Sequence, residues 1–214
     1  QAGRHALAVD LRGHGESDWT EQYGHLDFAA DVIGLAGQLH GPPILVGASL
    51  GGISALFAQD TFAEAGAQAS LCRALVLVDI APRSNPVGVE RILRFMIAGK
   101  AGFDSLESAA EAVAGYVRER SRPRDIDGLR KNLRQREDDG RWYWHWDPRF
   151  IDTARNPSNR PIGLFEDAAR RLKIPTLLIR GSKSDVLTED GVEAFRQAGP
   201  HARFFNVAGA GHMG

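Results

Sequence analysis

The sequence predicts an α/β protein, with a mostly parallel sheet flanked by helices and a helical insertion. Three observations predict it. Short apolar runs alternate with helical patterns in the first third of the chain, the same rhythm returns near its end, and the stretch between is helical in period but lacks strands. Strands that are apolar almost throughout are buried on both faces, as in a parallel sheet joined through helices.

Taken in order, Ala6-Leu7-Ala8-Val9 is a buried-strand candidate, followed by the turn-rich Asp10-Leu11-Arg12-Gly13-His14-Gly15-Glu16-Ser17. From Leu26 to Leu39 the apolar residues Phe28, Val32, Ile33, Leu35, Ala36 and Leu39 recur at helical spacing, and Pro42-Pro43 stops the helix. Ile44-Leu45-Val46 is the next strand, Leu50 to Ala65 the next helix, and Ala74-Leu75-Val76-Leu77-Val78 a strand buried on both faces. Helices are expected over Val87–Ala98, Leu106–Arg120 and Ile126–Arg136, before the aromatic run Trp142-Tyr143-Trp144-His145-Trp146. Three successive helices cannot continue a doubly wound sheet, so residues 82–172 are expected to form a helical cap on a core made of 1–81 and 173–214. The sheet resumes with Thr176–Ile179, a helix over Glu189–Gln197 and the strand Arg203–Val207.

Composition excludes several classes of function. The 214 residues are 43% hydrophobic and 25% charged, with 26 basic and 27 acidic side chains, which argues against disorder and against a nucleic-acid or membrane-surface binder. Eight basic residues between Arg118 and Arg136 (among them Arg118, Arg120, Arg122 and Arg124) face only three acids, and are read as a solvated outer face. The single cysteine, Cys72, leaves no internal disulfide and is expected to be a small buried residue in a reducing, cytoplasmic compartment. The seven histidines never fall in H-x-x-x-H or H-E-x-x-H spacing, so no metal is expected, and Gly209 to Gly214 lacks the following helix that a dinucleotide site requires, so no cofactor is expected either. Gly41–Gln59, the longest uncharged stretch, carries four Gly and two Pro and makes a poor membrane span.

The chemistry is concentrated at Gly47-Ala48-Ser49-Leu50-Gly51-Gly52, a G-x-S-x-G between a strand and a helix. A tight strand-to-helix turn needs small neighbours, lifts the serine hydroxyl above the sheet edge and points a helix N-terminus at developing negative charge. The Leu50 N–H is the natural oxyanion donor. A serine hydroxyl needs a base and an orienting acid. Asp185, in the loop after Thr176–Ile179, and His212, after the last strand, follow in the order Ser, acid, His, and loops at the carboxyl ends of parallel strands can converge. Asp79, ending an earlier strand, is the rival acid, since either strand end could reach the histidine.

With these residues the chain resembles the α/β-hydrolase superfamily, in its capped branch of serine esterases, lactonases and cofactor-free haloperoxidases. Asp10 to Ser17 is similar to that family's loop after its fourth strand, Val78-Asp79-Ile80-Ala81-Pro82 to the segment before its cap, and Gly209 to His212 to its histidine loop. The resemblance implies an acyl-enzyme on Ser49, where aspartate-bearing relatives form alkyl esters. It also implies a longer protein, whose N-terminal strands and C-terminal helix lie outside this sequence and whose second oxyanion donor has no counterpart here. The expected activity is hydrolysis of a carboxylic ester of a small, largely apolar molecule, by a monomer or homodimer without nucleic-acid or membrane partners. Phe95, Met96, Trp142, Trp144 and Trp146 are expected to wall the pocket, the three indoles on one face of an extended strand. The alternatives are a perhydrolase using the same triad and a hydrolase-fold ligand-binding protein that does not turn over.

Overall fold

A computed structural model describes residues 3, 5–66, 70–116, 126–155 and 162–212. The elements run α1 (His25–Ala36), β1 (Ile44–Ala48), α2 (Leu50–Glu64), β2 (Ala74–Val78), α3 (Pro86–Ala98), α4 (Leu106–Tyr116), β3 (Leu133–Gln135), β4 (Trp142–Trp144), α5 (Arg149–Arg155), α6 (Ile162–Arg171), β5 (Thr176–Gly181), α7 (Glu189–Ala198) and β6 (Arg203–Val207). The strands β1, β2, β5 and β6 lie side by side in that order, every pair parallel. All four therefore present their carboxyl ends along one rim, which is where Ser49, Asp79, the Ser182–Val186 loop and His212 sit.

The alternation of strands and helices dictates this sheet. α2 returns the chain from β1 to β2 and packs on both, α1 and α6 flank α2, and α7 packs on α6. Their shared core buries Leu56, Leu75, Leu77, Leu178 and Phe195 together with Cys72. Burial pushes the Cys72 thiol up to about 11, so it is a packing residue rather than a nucleophile. Arg171 of α6 clamps Asp60 of α2 with two nitrogens at 2.6 and 2.7 Å, tying the helix that precedes β5 to the helix that precedes β2.

Two expectations are corrected. Ala6–Val9 forms no strand: residues 5–11 run without a ladder partner, Leu7 is 69% exposed, and an unpaired strand has nothing to satisfy its backbone. The facing edge of the sheet is open too, with Val46 of β1 68% exposed. The helix expected over Ile126–Arg136 is instead a 3-10 turn, Asp127–Lys131, followed by β3, which pairs antiparallel with β4 (Leu133 opposite Trp144, Gln135 opposite Trp142). Gly140, at φ 68°, makes the turn between them. The helix expected to reach Arg120 is described only to Tyr116, and Arg118, Arg120, Arg122 and Arg124 lie outside the described residues, as do Met213 and Gly214. Among the described residues, no helix is long and apolar enough to cross a membrane.

Candidate active site

The turn at Ser49 is built as its sequence requires. Ser49 sits at φ 46°, ψ −118°, a left-handed conformation that a side chain adopts only under strain. Its N–H donates to the Val78 carbonyl at 3.1 Å, which binds the turn to the end of the neighbouring strand. Two glycines are sterically demanded. A Cβ on Gly47 would lie 2.3 Å from the Gly51 carbonyl oxygen, and one on Gly52 would lie 2.5 Å from Ile80 Cγ2, whereas Gly51 faces open space. Ser49 is the residue before α2, yet its side chain does not cap that helix. The Leu50 N–H, first in the helix, has no intrahelical acceptor and points at the same rim.

The neighbouring strand end carries a carboxylate. Asp79, also left-handed at φ 53°, is buried and accepts three hydrogen bonds: Gly181 N–H to Oδ1 at 2.9 Å, Ser184 Oγ to Oδ2 at 2.5 Å and His212 Nδ1 to Oδ2 at 2.7 Å. The His212 and Asp79 side chains are only 5% and 6% exposed. A carboxylate on Nδ1 sets the tautomer, placing the ring's proton there and leaving Nε2 as the acceptor. His212 is delivered by stitching between two loops: Ser182 N–H donates to Val207 O, Lys183 N–H to Ala210 O and Gly209 N–H to Ser182 Oγ.

The structure does not bring the expected acid to the histidine. Asp185 does follow β5, but its carboxylate turns to the Arg91 guanidinium on α3, 2.8 Å away, and it is Asp79 that meets the histidine. The physical reason lies in α3: a Cβ on Gly88 would sit 2.3 Å from the Asp185 carbonyl, so the helix packs directly on this loop and brings Arg91 against it.

A cavity of about 1810 Å³ opens beside Ser49 and Leu50. It exceeds the ~300–1,000 Å³ of ordinary ligand sites, because it continues from α3 down the open edge of β1 as far as Arg73. Val89, Ile92, Leu93 and Met96 of α3 line it at spacings of three and four, one stripe of the helix. Of the five residues expected to wall the pocket, Met96 does. Phe95 lies on another side of α3, stacked on Tyr116 at 4.5 Å and tilted against Trp144 at 5.5 Å. Trp142 and Trp144 pack with Leu106, Ala109 and Leu133 in a second core, and Trp146 bridges to His14. Sequence reasoning missed Phe150 on the cavity wall, its ring 5.2 Å edge to face from that of His14, which also lines it. The His14 Nδ1–H donates to the Arg12 carbonyl at 3.0 Å. Among the described residues no group of histidine, cysteine, aspartate or glutamate could hold a metal ion.

Residues 1–214 match a family model described as "Alpha/beta hydrolase family". The chain is 28% identical over 219 residues to "Esterase Rv0045c" of Mycobacterium tuberculosis, covering 96% of this chain and 67% of that protein. It is also 28% identical over 209 residues to "2-(acetamidomethylene)succinate hydrolase" of Mesorhizobium japonicum, covering 96% and 71%. The crystal structure of E-2-(acetamidomethylene)succinate hydrolase superposes with a TM-score of 0.77 at 24% identity, over 95% of this chain and 72% of the other, a likeness of fold.

Proposed function

The chain belongs to the alpha/beta hydrolase family and is an enzyme of the hydrolase type, and on that premise we propose that it cleaves carboxylic esters of small, largely apolar molecules through an acyl-enzyme on Ser49. The observation that carries the reading is the buried His212–Asp79 pair at 2.7 Å on the same rim as a strained, uncapped serine.

Ser49 Oγ attacks the ester carbonyl carbon while His212 Nε2 takes its proton. The imidazolium so formed is stabilised by Asp79 through Nδ1–H, and the carbonyl oxygen, now negative, accepts from the Leu50 N–H at the start of α2. Collapse of the tetrahedral species breaks the bond to the alcohol oxygen, which receives the proton from His212. Water then repeats the sequence: His212 takes its proton, the hydroxyl adds to the acyl carbon, and Ser49 leaves with the proton returned. In this reading residues 82–172 form the lid of the site, with α3 as its inner wall.

The cavity wall favours an uncharged substrate. It includes the apolar Val89, Ile92, Leu93, Met96 and Phe150, and the arginine among its described lining residues, Arg73, lies before β2 at the opposite end of the strands from Ser49. At ~3.3 Å per residue, the length of the sheet separates that guanidinium from the serine. A carboxylate carried by the substrate would lose its hydration against that wall for no arginine or lysine in return. The reading is tested with a panel of p-nitrophenyl esters of increasing acyl length, alongside the same esters bearing a terminal carboxylate. Turnover of the uncharged esters that disappears in Ser49→Ala supports it. Preference for the carboxylate series, or activity that survives the substitution, refutes it.

A further inference from the structure

We propose that Ser184 is a positioning residue for the proton relay, its hydroxyl hydrogen holding the Asp79 carboxylate in the orientation that serves His212. The inference rests on the reading of Ser49, His212 and Asp79 given above and extends it by a fourth member. A hydroxyl has one hydrogen to donate and two lone pairs to accept with. Both acceptor directions of Ser184 Oγ are occupied, by Val186 N–H at 3.2 Å and Leu187 N–H at 3.0 Å. The single hydrogen is thereby directed at Asp79 Oδ2, 2.5 Å away, and cannot rotate elsewhere without giving up a backbone partner. Ser184 is buried, and its own N–H donates to the Gly181 carbonyl at 2.9 Å. The loop's own backbone therefore holds the oxygen in place.

What this hydroxyl does for the relay follows from how Asp79 is held. Gly181 N–H fixes Oδ1, so rotation about the carboxylate axis is set by what binds Oδ2, the oxygen that also receives His212 Nδ1. Remove the serine hydrogen, and Oδ2 keeps only the imidazole it is supposed to orient. Two charged neighbours of the loop are engaged elsewhere: Asp185 with Arg91, and Arg180 with the Leu187 carbonyl at 2.7 Å and, more distantly, Glu189. Ser184 does not line the cavity, so its influence on turnover runs through Asp79 and not through substrate contact.

The test compares Ser184→Ala, Ser184→Cys and Ser184→Thr with Asp79→Asn and Ser49→Ala, measuring kcat and KM for a p-nitrophenyl ester from pH 5 to 9. Ser184→Ala is expected to lower kcat about 10- to 100-fold, the cost of a misaligned catalytic group, with KM within about twofold. The proton resonance of His212 Nδ1–H should shift in the same variant. Ser184→Thr keeps the hydroxyl and should recover most of kcat. Should Ser184→Ala fail to fold, Ser184→Cys, with a far weaker donor in nearly the same volume, carries the same expectations. Wild-type kcat and resonance in the alanine or cysteine variant, while Asp79→Asn and Ser49→Ala lose activity, overturn the role of Ser184 and leave the triad standing. Full activity in Asp79→Asn and Ser49→Ala overturns the triad, and Ser184's role with it.

Discussion

Replacing Asp79 by asparagine keeps the side chain's shape and removes its charge, at a position where three donors converge on two oxygens. An amide offers one acceptor and one donor group. If its NH2 faces Gly181 N–H, two donors oppose each other; if it faces Ser184 and His212, the imidazole must shift its proton to Nε2 and ceases to be a base towards Ser49. Either arrangement also leaves the imidazolium of the transition state without a counter-charge. The loss expected is on the order of 10⁴-fold in kcat, about 5 kcal/mol of transition-state stabilisation. Asp185→Asn provides the contrast. Its partner is Arg91, and with side chains 39% and 37% exposed the pair is the kind worth ~0–1 kcal/mol, so kcat should fall by less than about fivefold. Steady-state ester hydrolysis by the two variants, each checked for folding by circular dichroism, measures the ratio directly. An Asp79→Asn variant within tenfold of wild type, together with an inactive Asp185→Asn, would show that the relay runs through the other carboxylate.

The remaining predictions concern the turn, the core and the pocket. Gly47→Ala drives a methyl into backbone atoms 2.3–2.5 Å away and should cost ~1–3 kcal/mol in chemical denaturation. Gly51→Ala meets nothing within 4 Å and should be neutral or stabilising by up to ~1 kcal/mol; equal effects of the two would contradict the packing described for the turn. Asp147 is 1% exposed; burial pushes its carboxyl upward, but hydrogen bonds from Arg149 and the Tyr23 hydroxyl outweigh that and hold it below its ordinary 3.8. The unfolded chain thus takes up this proton first. The stability it contributes is complete above about pH 5 and is lost as pH falls below about 4. Melting temperature should accordingly fall less steeply below pH 4 in Asp147→Asn than in wild type. Met96→Trp fills the cavity from α3 and should raise KM for long acyl chains at least tenfold while sparing acetate esters, whereas Trp144→Phe, in the second core, should leave the chain-length profile unchanged.

Much of this arrangement was written in the sequence. The strand Ala74–Val78 ends where its apolar run ends, because a strand buried between neighbours tolerates no polar interruption. The turn at Ser49 was equally legible, since few residue combinations fit a left-handed strand-to-helix junction. The choice of acid was not, because Asp79 and Asp185 both follow parallel strands and the deciding contact, Arg91 to Asp185, spans nearly a hundred residues. One signal did favour Asp79: an acid that directly ends the all-apolar run Leu75-Val76-Leu77-Val78 is bound to be buried, and a buried carboxylate must be hydrogen bonded. The pocket wall failed by one helical position. Phe95 and Met96 are a hundred degrees apart on α3, and only the stripe Val89, Ile92, Leu93, Met96 meets the cavity. The β3–β4 hairpin was masked by leucines at helical spacing, although Asp139-Gly140 is the turn signal that separates its strands. Ala6–Val9 shows the reverse error: an apolar run has strand character, but a strand exists only where a ladder forms, and residues 5–11 have no ladder partner.

The most direct test of the central claim is covalent. Reaction with a fluorophosphonate, followed by intact mass and peptide mapping, should give one adduct, on Ser49, that is absent from Ser49→Ala and forms far more slowly in Asp79→Asn. An adduct on another residue, or equal labelling of wild type and the Asp79 variant, would contradict a serine activated through His212 and Asp79.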